Sequence, residues 1–292
     1  MAIRVNAPAF RDLVDEGAEL EKLGDGCTFT EGPLWNSDGN FLLFSDMPGD
    51  VRRRWDEGQT GFTEVANPSN KGNGMTFDLE GRLVVCEHVT SSLVRMDPDG
   101  TGGNRETLAS HYEGKELNSP NDVIVANDGS IYFSDPPAAL VNRTGPDREL
   151  DYAGVFRLAP DNSLHLIDTM SAPNGIGVSP DGTKLYHSDG PTGWVMWDLD
   201  KQGNASNRRN FVARSVVMGG DSLKIDAAGN MWAASREGVT VFTPGGERIG
   251  FISTDQGVSN CELGADGYLY LASSTRVLRV RAKAKKLLFK VT

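Results

Sequence analysis

Short alternating runs of apolar residues, each closed by a turn, are the dominant pattern in this chain. Between Asn121 and Asp135, apolar runs at Val123–Ala126 and Ser130–Ser134 flank an Asn-Asp-Gly turn. Asp-Gly between such runs predicts a tight β-hairpin, because the turn needs residues that tolerate positive φ. Asn121 and Asp135 would then lie at the same open end of the hairpin.

The same hairpin recurs, with a polar residue eight positions before a turn glycine. The pairs are Glu31 and Gly39, Asn73 and Gly81, Asn121 and Gly129, Asn174 and Gly182, and Asp221 and Gly229. A looser sixth copy begins at Ser259 or Asn260 and turns at Gly267. A period of roughly 40–50 residues is typical of propeller blades or helical solenoids. No copy has helical periodicity, so we predict an all-β fold, a six-bladed β-propeller forming one domain over residues 1–292.

The repeats also predict where each blade lies and how the ring closes. The six blades are expected at about residues 29–67, 72–109, 118–169, 173–213, 219–254 and 258–280. A strand near Ala18–Leu23 should complete the last blade, since closure removes exposed sheet edges. Ala138–Leu150 is predicted as an exposed loop, either a lid over the polar face or a loop without function. We interpret the basic run Arg276–Lys290 as charges that protect a sheet edge.

Composition narrows the possible partners and the cellular setting. The net charge of −11 disfavours nucleic acid and acidic membranes as partners. The three cysteines form no C-x-x-C pair and are predicted to be buried free thiols. The N-terminus lacks a signal-peptide pattern, and no apolar run reaches membrane-spanning length. These features predict a soluble cytoplasmic protein.

The polar residues that start the repeats are candidate metal ligands. In a propeller the innermost strands line a central channel, so their first residues meet at one mouth; here they are Glu31, Asn73, Asn121, Asn174, Asp221 and Ser259 or Asn260. Carboxylate and amide oxygens suit a hard cation such as Ca²⁺. The absence of His and Cys from the set disfavours zinc or copper. The alternative, local capping of strand starts by Asn and Asp, explains one such residue better than five.

A second, wider polar ring is expected where the second strands end. Its members are Asp46, Glu87, His88, Asp135, Asp189, Ser235 and Ser273. They either contact a substrate or cap loops, and His88 is either a mouth residue or an ordinary satisfied histidine. The candidates for substrate binding are Asn73, His88, Asn118 and Asp135.

Five motifs carry a resemblance to a known family. They are Phe29–Trp35, Leu117–Asp122, Tyr132–Pro137, Ala172–Gly177 and Asp221–Asp226. Together they resemble the gluconolactonase / senescence marker protein / luciferin-regenerating-enzyme-like family over about Phe29–Leu271. The resemblance implies a six-bladed propeller with one divalent metal held by Glu31, Asn121, Asn174 and Asp221. It also implies lactone hydrolysis, or organophosphate hydrolysis as in a related branch.

The chain departs from the family pattern at two positions. Ser222 stands where glycine usually follows the aspartate, and Ser119 stands where some sugar-lactone members have arginine. The preference for sugar lactones therefore stays open.

A cation held by this donor set would provide the chemistry for the hydrolysis of a small-molecule lactone, the reaction that the resemblance implies. A bound divalent metal, most plausibly Ca²⁺, would polarise the carbonyl and stabilise the oxyanion. A carboxylate would activate water or attack directly, and Asp221 is the candidate, with Glu31 as a ligand. The alternatives are a phosphotriester hydrolase on the same site and a non-catalytic, ligand-binding propeller with a structural calcium ion.

Overall fold

A computed structural model describes residues 2–137, 148–217 and 219–288 of the chain. Six of its antiparallel sheets are arranged as blades around a central channel, which confirms the predicted six-bladed β-propeller. Most of the predicted loop Ala138–Leu150 lies outside the described residues. No helix in the described part of the chain is long and apolar enough to cross a membrane.

Each blade is built outward from the channel in chain order. Blade one contains β3 (Thr30–Asn36), β4 (Phe41–Asp46), β5 (Val51–Asp56) and β6 (Thr63–Ala66). Blade two contains β7 (Gly72–Phe77), β8 (Leu83–Glu87), β9 (Ser92–Met96) and β10 (Glu106–Ala109). Blade three contains β13 (Val123–Val125), β14 (Ile131–Asp135), β15 (Ala153–Leu158) and β16 (Leu164–Met170).

The other three blades follow the same plan. Blade four contains β17 (Pro173–Val178), β18 (Lys184–Asp189), β19 (Gly193–Leu199) and β20 (Ala205–Ala213). Blade five contains β21 (Leu223–Ile225), β22 (Met231–Ser235), β23 (Gly238–Phe242), β24 (Arg248–Ser253) and, outermost, β1 (Ile3–Val5). Blade six contains β25 (Asn260–Leu263), β26 (Tyr268–Ser273), β27 (Arg276–Arg281) and, outermost, β2 (Glu21–Gly24).

The N-terminal region supplies the outermost strands of two blades. Strand β2 pairs with β27, with Glu21 opposite Arg279, which confirms the predicted closing strand. The strand begins at Glu21, three residues after the predicted start at Ala18. Strand β1 adds a fifth strand to blade five, which the sequence pattern did not predict. Between these strands lies a short 3₁₀ helix, Pro8–Asp12, and a separate hairpin of β11 (His111–Tyr112) and β12 (Lys115–Glu116) precedes blade three.

The interpretation of the basic C-terminal run as edge protection is wrong. Strand β27 is an interior strand because β2 covers it. The chain then turns toward the channel, where Lys286 pairs with Glu262 of the innermost strand β25. The lysine is drawn inward because the Glu262 carboxylate is buried there.

The hydrophobic core lies between blades rather than within one sheet. In the described part of the chain, buried apolar residues form six clusters, each built from two adjacent blades. The five tryptophans belong to these clusters: Trp35, Trp55, Trp194, Trp197 and Trp232. The three cysteines are buried and unpaired, which confirms the cysteine prediction. Packing between blades therefore fixes where each inner strand begins.

Candidate active site

The innermost strands β3, β7, β13, β17, β21 and β25 surround the channel, each in contact with the next. We call the end at which these strands begin the mouth. In three of them the register with the second strand is broken near the start, at Glu31, Asn73 and Asn174. Such bulges bend a strand and redirect its side chains, and they are common next to active sites.

Glycines after the polar starters allow the blades to meet closely at the mouth. A Cβ atom on Gly32, whose φ is +47°, would lie 2.2 Å from the Asn73 carbonyl oxygen. A Cβ atom on Gly74 would lie 2.5 Å from Asp122 Oδ1. The Gly74 amide instead donates to the Asn121 carbonyl at 2.8 Å. Neighbouring blades are thus linked through the backbone where the polar starters gather.

Two predicted ligands, Glu31 and Asp221, are close enough for their charges to interact. Burial, followed by repulsion from Asp221 and Asp122, raises the pKa of Glu31 well above its usual value. Burial and the Asp122 charge raise the pKa of Asp221 to about 7, while a hydrogen bond from Asn174 opposes that shift. The charges of these three carboxylates therefore interact at the mouth.

The oxygen atoms at the mouth fit a hard cation. Asp221 Oδ1 is buried and has no hydrogen-bond partner in the described part of the chain. Asn121, Asn174 and Asp221 are partly exposed, whereas Glu31 is buried. No cluster of three His, Cys, Asp or Glu side chains suited to a metal occurs among residues 2–137, 148–217 and 219–288. The candidate set instead mixes two carboxylates with two amides, a donor chemistry that Ca²⁺ accepts.

Asn73 and His88 form a separate buried pair beside the mouth. Asn73 Nδ2 lies 3.3 Å from His88 Nε2. Burial, and to a smaller extent the nearby Lys71 charge, lowers the pKa of His88 to about 4, so the ring is neutral near pH 7. Nδ1 of His88 is buried without a partner within the described chain. His88 is therefore a neutral, buried side chain with one unused nitrogen.

Asn118 and Asp135 contact each other. The Asp135 carboxylate accepts hydrogen bonds from the Asn118 amide at 2.8 Å and the Ser119 amide at 2.7 Å. The Asn118 side chain donates to the Tyr152 carbonyl at 2.9 Å, and its Oδ1 lacks a partner in the described residues. Asp135 thus holds the loop that leads into the innermost strand, while Asn118 keeps a spare acceptor.

Two other acids of the wider polar ring share this loop-holding role, whereas Glu87 accepts its hydrogen bonds from side chains. Asp46 accepts from the Thr28 and Phe29 amides at 2.9 and 3.1 Å. Asp189 accepts from the Ala172 amide at 3.0 Å and the Thr192 hydroxyl at 3.1 Å. At the end of a second strand, each carboxylate satisfies backbone donors of the loop before its own inner strand.

Three charged residues in the channel were not predicted from the sequence. Asp122 is 1% exposed at the mouth, and Lys224 and Glu262 lie deeper, where they line a cavity of about 670 Å³. Each alternates with buried core residues on its inner strand, as Lys224 does between Leu223 and Ile225. Side chains of a strand point alternately to its two faces. Because the core residues of each inner strand face the neighbouring blade, the charged residues between them face the channel, and this alternation is the signal that could have identified them.

Ser222, one of the two departures from the family pattern, also reaches the channel. Its hydroxyl donates to Asp122 Oδ2. The same carboxylate accepts from the Val123 amide at 3.0 Å and lies 3.9 Å from Lys224 Nζ. Blade five therefore contacts blade three across the channel through Asp122.

Comparison with known proteins agrees with this arrangement. Residues 29–275 match the family described as SMP-30/Gluconolactonase/LRE-like region. The gluconolactonase of Zymomonas mobilis is 37% identical over an alignment covering 95% of this chain and 85% of that protein. The pentonolactonase of Haloferax volcanii is 27% identical, with 73% and 68% covered.

A solved structure shows the same similarity in three dimensions. The gluconolactonase from Xanthomonas campestris superposes with a TM-score of 0.87 at 32% identity, covering 96% of this chain and 94% of that one. The family match spans most of the sequence, and the first relative exceeds 30% identity over nearly the whole chain. The chain therefore belongs to the SMP-30/gluconolactonase/LRE-like family.

Proposed function

We propose that this protein is a lactonase that uses one divalent cation at the channel mouth. The observation that carries the proposal is the meeting of buried Glu31 with Asp221, whose Oδ1 has no hydrogen-bond partner in the described chain. Buried like charges are unfavourable unless a positive charge compensates them. Similarity to gluconolactonases over nearly the whole chain supports the choice of reaction.

Glu31, Asn121, Asn174 and Asp221 are the proposed cation ligands. All four begin inner strands or directly precede them, on blades one, three, four and five. When bound, a divalent cation would polarise the lactone carbonyl and stabilise negative charge on its oxygen. Their oxygen chemistry makes Ca²⁺ the first candidate.

Asp221 is the proposed catalytic carboxylate. The Asn174 amide holds it by one hydrogen bond, and its Oδ1 is available to accept a proton from water. Water then adds to the carbonyl carbon, and the ring C–O bond breaks to release a hydroxy acid. A direct attack of the carboxylate on the carbonyl would give the same product after hydrolysis, and both routes place Asp221 at the reacting atoms.

Asn73, His88 and Asn118 are proposed to bind substrate hydroxyl groups. Each has a buried polar side chain, and His88 Nδ1 and Asn118 Oδ1 lack partners among the described residues. Unused buried donors and acceptors are costly unless a ligand satisfies them. Asp135 is proposed to act on the substrate only indirectly, because it holds Asn118 in place.

The substrate class is tested by turnover of cation-loaded protein on a matched panel. The panel contains five- and six-membered sugar lactones, an unsubstituted lactone of each ring size, an open-chain ester and a phosphotriester. We expect sugar lactones to be hydrolysed fastest, since hydroxyl groups would meet the unused polar atoms. If only the phosphotriester is hydrolysed, the proposed lactonase activity is wrong and the protein is a phosphotriester hydrolase. If no compound is hydrolysed, the result favours a non-catalytic binding protein.

A further inference from the structure

The innermost strands and the residues that start them carry an unusual set of charges. Four carboxylates and one ammonium group lie on them, and a second ammonium group reaches them from the C-terminal segment. They are Glu31, Asp122, Asp221, Glu262, Lys224 and Lys286. Lys286 and Glu262 form an ion pair, so their charges cancel in the net charge of the mouth. Within the described chain this leaves three carboxylates against one lysine.

Lys224 lies in the channel, where the charges of Asp122, Glu262 and Glu31 raise the pKa of its ammonium group against the effect of burial. Its side chain is 13% exposed, and its Nζ lies 3.9 Å from Asp122 Oδ1. This contact joins blade five to blade three, although blade four lies between them in the ring. The inner strand of blade four carries Gly175 and Gly177. A Cβ atom on Gly175 would lie 2.4 Å from Ser222 Cα, so glycine there lets blade five come close.

Asp122 is fixed where its charge acts on both proposed acidic ligands. Ser222 and the Val123 amide hold its two oxygens, and only 1% of the residue is exposed. Its charge repels those of Glu31 and Asp221. Asp122 and Lys224 are thus fixed charges of opposite sign directly behind the mouth.

We propose that Lys224 and Asp122 set the charge of the mouth to about minus two, so that the site selects a divalent over a trivalent cation. This inference rests on the proposed cation site. With Lys224 present, one of the three negative charges is compensated, and a divalent ion completes the balance. Without Lys224, the uncompensated charge would match a trivalent ion better. The residue is a determinant of ion selectivity and does not bind the ion itself.

The test compares Ca²⁺ with Tb³⁺, two ions of similar radius and preference for oxygen ligands but different charge. Calorimetry gives the ratio of their affinities for the wild type and for Lys224→Met. We expect the variant to bind both ions more tightly and to shift the ratio toward Tb³⁺ by roughly tenfold or more, for one unit charge acting through an effective dielectric constant of about 20. Lys224→Gln serves the same comparison if Lys224→Met is not folded by circular dichroism.

Two further variants separate charge from packing. Asp122→Asn should weaken both ions and weaken Tb³⁺ more. The double variant Asp122→Asn with Lys224→Met restores the original charge, so its ratio should return close to the wild-type value. Lys224→Arg, which keeps the charge, should leave the ratio unchanged.

The binding measurements distinguish failure of the selectivity proposal from failure of the proposed cation site. A Tb³⁺ to Ca²⁺ ratio that stays within about twofold of the wild type in Lys224→Met, a far smaller change than one unit charge predicts, would overturn this inference while leaving the cation site intact. If the wild type binds neither ion, the proposed cation site fails, and the inference fails with it.

Discussion

Asp221 is the residue on which the proposed chemistry depends most. Asp221→Asn keeps the shape and one oxygen ligand but removes the basic carboxylate. We expect the variant to stay folded and to retain cation, yet to lose turnover by roughly 10²–10⁴-fold, the usual effect of losing a general base. Steady-state lactone hydrolysis by cation-loaded protein measures the loss.

Glu31→Gln is the matched control for that prediction. It removes the other buried carboxylate, so it should weaken cation binding more than it slows the loaded enzyme. Near-normal turnover in Asp221→Asn, with a loaded Glu31→Gln enzyme inactive, would transfer the catalytic role to Glu31.

His187 makes the stability of the protein depend on pH. The ring is fully buried in blade four, with Nδ1 2.6 Å from the Ser188 carbonyl oxygen, and burial lowers its pKa from 6.5 to about 4. The Asp189 charge opposes the shift, and the Arg208 charge adds to it. Between pH 6.5 and about 4 the unfolded chain therefore binds more protons than the folded chain. The stabilisation is complete above pH 6.5 and is lost as the pH falls toward 4, by up to about 1.4 kcal/mol per pH unit.

Urea unfolding of His187→Gln at pH 5 and pH 7.5 measures this contribution. The variant should lose part of the acid sensitivity of the wild type, whereas the exposed His111, replaced by Gln, should leave that sensitivity unchanged. His88 contributes in the same direction, so some sensitivity should remain in His187→Gln. Equal acid sensitivity in the wild type and His187→Gln would refute the assignment.

At the residue scale, the sequence pattern located the polar residues at the starts of the inner strands but not the charged residues that line the channel. Glu31, Asn174 and Asp221 were found because each stands at a fixed distance from a turn glycine. Asp122 and Lys224 were missed because they belong to alternating strands that read as ordinary core, and only the ring shows that one face of each strand meets a channel.

Among the structural elements, the loops before the inner strands of blades one, three and four are each held by an aspartate at the end of the second strand. Asp189 accepts one backbone and one side-chain hydrogen bond in this role. Asp189→Ala would leave the Ala172 amide without its acceptor, and we expect a loss of about 1–3 kcal/mol in the free energy of unfolding. Denaturant unfolding at pH 7.5 measures it.

Asp38→Ala is the control for that variant. Asp38 is an exposed turn residue at the opposite end of blade one, so its replacement should change stability by less than about 0.5 kcal/mol. Equal, small effects for both variants would show that the carboxylates at the second-strand ends do not stabilise the loops.

The strands themselves were largely predictable from the sequence. All six predicted blade starts lie within five residues of the start of the innermost strand, since the glycine-containing turns fix the hairpins. The short strand β1 and the hairpin of β11 and β12 were not, because two or three residues carry too little alternation to be recognised. Their pairing depends on neighbours that are distant in sequence.

For the whole molecule, the closing seam joins blade six, the N-terminal strand and blade one. Arg279 in β27 pairs with Glu21 of β2 and with Glu57 after β5, and its guanidinium lies 4.9 Å from the Trp55 ring centre. The arginine side chain is 5% exposed, whereas both glutamates are half-exposed. We propose that the chain folds as one domain whose ring closure depends on this contact.

Arg279→Met tests the seam. We expect a loss of about 1–3 kcal/mol, below the full effect of breaking a buried ion pair because the glutamates are solvated. Unfolding should remain one cooperative transition by fluorescence and circular dichroism. Arg281→Met, an exposed neighbour, is the control. Separate transitions in the wild type would contradict a single domain.

The most direct test of the central claim is lactone turnover by the wild type before and after removal of its cation. Protein is treated with a chelator, dialysed, shown by elemental analysis to be metal-free, and then titrated with Ca²⁺ or another divalent ion. We predict that turnover falls by at least about 100-fold, because the carbonyl loses its electrophilic partner, and returns at one equivalent of cation. Full activity in metal-free protein would contradict the account.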